Sequence, residues 1–130
     1  MREVKLNNEL LESDSSLEEL NFLAKEGDDY LCFSVYPEWG KANGYKCMTF
    51  KVKLTDADLE KGDEIVYDKL TDNIKDDLEY PTMLEAIKAG FSFCGKKLSK
   101  KLNVFTGSME EAAKKTRKGD ITAVRIPDYL

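Results

Sequence analysis

The chain has 130 residues, a formal net charge of −5 and no histidine. That length predicts a single domain, residues 1–130, and the missing imidazole removes every mechanism that uses one as base, acid or metal ligand. Charged residues reach 35% against a usual value of roughly 25%. No apolar run approaches the roughly 18 residues of a membrane span, and Met1 to Asn8 lack the apolar region of a secretory signal. A cytoplasmic protein with no membrane partner is the expectation.

Glu3 to Leu6 can form a short strand. Ser16 followed by Glu19 is a capping box that would open a helix to about Lys25, with Leu17, Leu20 and Leu23 on its apolar stripe and Gly27 ending it. Tyr30 to Tyr36 and Tyr45 to Leu54 alternate with period two and predict half-buried antiparallel strands. Their link, Pro37 to Gly44, is too long for a two-residue turn and predicts an open hairpin loop. This reading puts Leu31, Phe33, Val35, Met48, Phe50 and Val52 on one buried face, and Tyr30, Tyr36 and Tyr45 on the other.

Thr55 with Asp58 opens a short turn stopped by Gly62. A helix is expected between Asp63 and Glu79, with Val66, Leu70, Ile74 and Leu78 inward and acids outward. Thr82 with Glu85 starts another helix. From Leu84 to Leu98 the apolar residues suit one long helix, but Gly90 and Gly95 argue for a break. A helix to about Ala89 and a second from Lys96 to Leu102 are therefore expected. Ser108 with Glu111 opens a last helix, and Ile121 to Ile126 is a strand ended by Pro127. Together these predict an α+β fold: a small antiparallel sheet of three to four strands, with four to five helices packed mainly on one face.

Cys32, Cys47 and Cys94 are odd in number and lack a CxxC spacing. They read as reduced, buried thiols, with a cross-strand Cys32–Cys47 pair as the alternative. Charge is laid out in blocks. Residues 1–29 carry −6, 30–54 carry +3, 55–79 carry −7 and 91–118 carry +6. Such blocks suit either solvated helix faces or a polarised surface that steers a charged partner.

Asp56, Asp58 and Glu60 begin like a calcium-binding loop, but Lys61 stands where its glycine belongs and Tyr67 where its bidentate glutamate belongs. No phosphate-cradling glycine loop and no nucleophile elbow occur. Leu98, Leu102 and Val104, followed by Ser108-Met109, look like the core of a helix-turn-helix. Phe105 departs from that pattern, as do Glu110 and Glu111, which would face phosphates. Ser108, Ala112, Gly119 and Ile121 are also spaced as in the second half of an S4-type RNA-binding module, without its leading Arg-Leu-Asp. Neither likeness covers more than a quarter of the chain, and two short capped helices account for both.

The chain therefore reads as a non-enzymatic acidic binding protein, a regulator or inhibitor acting through protein contacts. It needs no cofactor, metal or catalytic residue set. Tyr36, Glu38, Trp39 and Tyr45 are the candidate anchor, because Tyr and Trp are enriched at interface hot spots. The acidic stretch 55–79 offers a second surface, able to occupy a basic groove. The alternative is DNA or RNA binding through Lys96, Lys97, Lys100, Lys101, Lys114, Lys115, Arg117 and Lys118, or by bases stacked on the hairpin tyrosines beside Lys41, Lys46, Lys51 and Lys53. A second alternative is a metal-dependent hydrolase without histidine, built on Asp28, Asp29 and Glu38.

Overall fold

A computed structural model describes residues 2–6, 19–38 and 44–126. Within them a seven-stranded mixed sheet forms, not the small antiparallel one. Its strands are β1 (Arg2–Lys5), β2 (Leu20–Glu26), β3 (Asp29–Pro37), β4 (Tyr45–Val52), β5 (Ile74–Tyr80), β6 (Lys101–Thr106) and β7 (Ile121–Arg125), in the spatial order β1-β6-β7-β2-β3-β4-β5. Every neighbouring pair is antiparallel except β6 and β7, which run parallel. Four helices are described: α1 (Asp56–Glu60), α2 (Asp63–Thr71), α3 (Met83–Phe93) and α4 (Met109–Lys115).

The helices cover both faces of the sheet, which corrects the one-sided packing expected from sequence. Met83, Ala86, Ile87 and Phe91 of α3 pack on Phe22, Phe33, Val35 and Cys47. Leu59 of α1, Val66 and Leu70 of α2, and Met109 and Ala112 of α4 pack on Leu23, Cys32, Phe50 and Val124 on the other side. A strand buried on both faces has no polar side to reveal, so it reads as a continuous apolar run. The β3–β4 register divides the six residues expected on one face. Phe33 lies opposite Thr49 and Ser34 opposite Met48. Leu31, Phe33 and Val35 therefore face α3, while Met48, Phe50 and Val52 face α1, α2 and α4.

All four strands expected from period two are present, and three more come from segments read as helical or ambiguous. Leu20–Glu26 is a strand because it lies between β7 and β3, where Leu20, Phe22, Leu23 and Ala24 are buried on alternate faces. Burial of this kind outweighs a weak helical propensity. The Ser16 cap lies outside the described residues. The helix expected over 63–79 stops at Thr71: Asn73 Nδ2 donates to the carbonyl of Lys69 at 2.8 Å, and the chain leaves as β5. Lys101–Thr106 is a strand too, so the helix-turn-helix likeness has no first helix here. In contrast, α3 runs unbroken through Gly90 to Phe93.

The caps behave as read. Thr55 Oγ1 accepts from the Asp58 amide at 3.2 Å, and Asp58 Oδ2 accepts from the Thr55 amide at 2.9 Å. Ser108 and Glu111 form the same reciprocal pair, and Thr82 caps α3. Lys69 Nζ reaches Asp58 Oδ2 at 2.6 Å, which holds the Asp58 carboxyl well below the usual carboxylate range. The carboxylate at the third position of the calcium-like loop is thus engaged in a cap and an ion pair. The three cysteines are free and buried. Cys32 and Cys47 belong to opposite faces of the sheet, so no cross-strand bridge joins them.

Candidate functional site

The hairpin anchor is only partly described, because Trp39 lies outside the described residues. The Glu38 amide donates to the Gly44 carbonyl at 2.8 Å and closes the base of the loop. Tyr36 and Tyr45 are both half-buried, but on opposite faces: Tyr36 packs with the α2 layer and Tyr45 with the α3 layer. Tyr30 is buried in the α2 layer. The three tyrosines therefore form no common platform on which bases could stack. Lys46, a cation of that reading, is held by Asp77 and Glu79, each at 3.7 Å. The hydrolase residues are separated as well. Asp28 and Asp29 sit at one end of β3 and Glu38 beyond the other, and the nine residues of β3 put about 30 Å between them.

Burial pushes the Tyr36 phenol up to about 12, with the carboxylate of Asp77 adding to the shift. The unfolded phenol ionises near pH 10, so the unfolded chain loses this proton first as pH rises. Stability contributed by Tyr36 is complete below about pH 10 and disappears toward about pH 12. Tyr36→Phe should flatten the alkaline limb of stability. Urea midpoints measured through that range, beside phenolate absorbance, check this; an unchanged limb would remove Tyr36 as its cause.

Two charged regions emerge from the topology. The first is the sheet edge at β5, where every residue except Tyr80 is exposed. Ile74 is 40% and Leu78 53% exposed, beside Asp76, Asp77 and Glu79. Ile74 and Leu78 read as buried helix positions in the sequence; Asp72-Asn73, a turn-forming pair, was the available signal that the helix ends before them.

The second region is one end of the sheet. The C-terminus of β1 and the N-termini of β6 and β7 meet there, beside the chain leaving α3. A cavity of about 440 Å³ is lined there by Lys96, Lys97, Lys101, Asn103 and the Gly119-Asp120 turn, over Phe91 and Leu102. The eight cations singled out by sequence are thus divided. Lys96, Lys97 and Lys101 line the cavity, Lys100 lies between the lining residues Ser99 and Lys101, and Lys118 precedes the lining Gly119. Lys114 and Lys115 are on α4, where Lys114 pairs with Glu110 at 3.0 Å and Lys115 Nζ stands 4.2 Å from the centre of the Phe105 ring. Arg117 is exposed between the two groups. The cavity end of β6 and the β5 edge lie five strand positions apart, about 24 Å across the sheet, whereas the acidic helices α1 and α2 pack directly against α4, where the Met109 amide donates to Asp63 Oδ1 at 2.8 Å.

No described helix is long and apolar enough to cross a membrane, and the described residues contain no cluster of three or more carboxylates and thiols placed to hold a metal ion. No protein-family model, curated protein or solved structure matches the chain.

Proposed function

We propose that this chain is a non-enzymatic binding protein, a regulator or inhibitor, that takes an extended basic segment of a partner protein along the β5 edge. The observation that carries the reading is the exposure of β5. Its outer edge pairs with no described strand, so its backbone groups are available to an added strand. Ile74 and Leu78 supply apolar contact, and Asp76, Asp77 and Glu79 favour lysine and arginine on the incoming chain. The bulge between Thr49 and Phe50 and the charges on β5 are also how proteins keep an edge from pairing indiscriminately. Both features make the edge selective, since an acidic strand meets like charge there. A cytoplasmic setting belongs to the proposal and rests on three thiols that form no disulfide.

The test is affinity capture from lysate with the wild type and with Ile74→Lys combined with Leu78→Lys. Both positions are exposed, so the fold should be kept. Proteins retained by the wild type with or without nuclease, and lost by the variant at unchanged melting temperature, support the reading. An identical set on the variant, or a set that vanishes on nuclease treatment, overturns it.

A further inference from the structure

The lysine-lined cavity at the end of the sheet is a different feature from the β5 edge, and its arrangement is unfavourable for the protein alone. In the β1–β6 register Lys5 lies directly opposite Lys101. Nearby, Lys25 and Lys118 face each other across an isolated parallel bridge. Like charges directly opposite one another in a sheet destabilise it. The Lys5–Lys101 pair lies at the same end as Lys96 and Lys97 and concentrates positive charge there, while Lys25 lines a separate cavity with Asp56, Glu60 and Glu110. Lys96 and Lys97 make no ion pair among the described residues, and Lys101 shares only the exposed Glu3, at 3.1 Å. Asp120 is the one carboxylate in the cavity lining.

Lysines just beyond a helix C-terminus complement its dipole, and α3 ends at Phe93. That accounts for Lys96 and Lys97. It does not account for Lys101 on β6, which lies opposite Lys5 of β1. Lys96 and Lys97 from the chain leaving α3 and Lys101 from β6 reach one concavity, lined also by Phe91, Leu102 and Ile121, and its volume falls within the usual range for small-ligand sites.

We propose that this cavity is an anion site that takes a phosphoryl group, with Lys96, Lys97 and Lys101 as its charge partners and the amide of Asn103 as a neutral donor. Several mobile ammonium groups around an open concavity suit the tetrahedral oxygens of phosphate, which lysine meets as a point charge. The phosphoryl group can belong to a free polyphosphate or to the backbone of a single-stranded nucleic acid. The acidic remainder of the surface repels both except at this end, so binding should be local and should weaken with salt.

Amide chemical-shift mapping at low salt tests this with two probes, inorganic tripolyphosphate and a single-stranded oligonucleotide. Saturable shifts confined to residues 96–103 and 118–121 are expected, with a higher melting temperature for the bound protein. Lys96→Glu combined with Lys97→Glu should weaken binding at least about tenfold. Lys101→Ala should weaken it in the same direction, and Lys114→Glu on α4 should leave it unchanged. Response to tripolyphosphate identifies a compact ligand; response to the oligonucleotide alone identifies a nucleic-acid backbone. The proposal is overturned if neither probe shifts these amides, or if the paired lysine variant, folded by its melting temperature, binds as the wild type does.

Discussion

Phe33→Ala should lower the stability of the domain by about 3–5 kcal/mol, a large part of the roughly 5–15 kcal/mol that holds a domain together. Phe33 is fully buried at the centre of β3, the third strand from one edge of the sheet. Its ring stacks on Phe22 with centroids 4.3 Å apart and planes at 6°, and meets Phe91 of α3 edge-on at 5.8 Å. Removing it takes away the transfer free energy of the ring, its two aromatic contacts and the filling of the space between sheet and helix. The backbone on both sides is fixed by β2 and β4, so the site cannot collapse to recover the loss. Urea unfolding of the variant gives the number. Phe105→Ala is the control, because Phe105 is only half-buried beneath Lys115 and should cost distinctly less. A loss under about 1 kcal/mol at Phe33 would mean that this aromatic group does not organise the α3 face.

The elements that sequence revealed are those whose signal is local. Period-two alternation found β1, β3, β4 and β7, and the Ser or Thr with its acid three residues on marked the starts of α1, α3 and α4. What it hid depends on partners distant in the chain. Leu20, Leu23 and Ala24 keep helical spacing and yet lie in a strand, because β7 and β3 bury both of its faces. The β5 segment carries Ile74 and Leu78 at a spacing that continues the stripe of Val66 and Leu70, and only the Asp72-Asn73 turn separates them. Which face Phe50 or Tyr45 occupies is a matter of register, which a hairpin loop as long as 38–44 does not fix. The same holds for the charges. The acidic and basic blocks are visible, but Lys5 meets Lys101 through the antiparallel pairing of β1 with β6, and the Gly119-Asp120 turn joins that end through the parallel pairing of β6 with β7; nothing local in the sequence encodes either pairing.

Gly90, which with Gly95 argues in the sequence for a break, lies inside the unbroken α3, and its environment shows why a glycine is there. A methyl group built on Gly90 would fall inside the van der Waals radii of Cδ2 and Cε2 of the Phe33 ring. The helix accepts the roughly 1 kcal/mol propensity cost of glycine because its backbone rests directly on that ring. Gly90→Ala, which in an exposed helix would stabilise, should here destabilise by about 1–3 kcal/mol, since a fully buried ring between Phe22 and Phe91 has nowhere to move. The sign should reverse once the ring is gone. In a Phe33→Ala background the added methyl enters the vacated space and the propensity gain of about 1 kcal/mol returns. Gly90→Ala should then stabilise, giving a coupling of about 2–4 kcal/mol between the two positions. Urea midpoints of the wild type, both single variants and the double variant complete the cycle. Additive effects would show that the α3 backbone does not rest on Phe33, and that the glycine answers to some other demand of the helix.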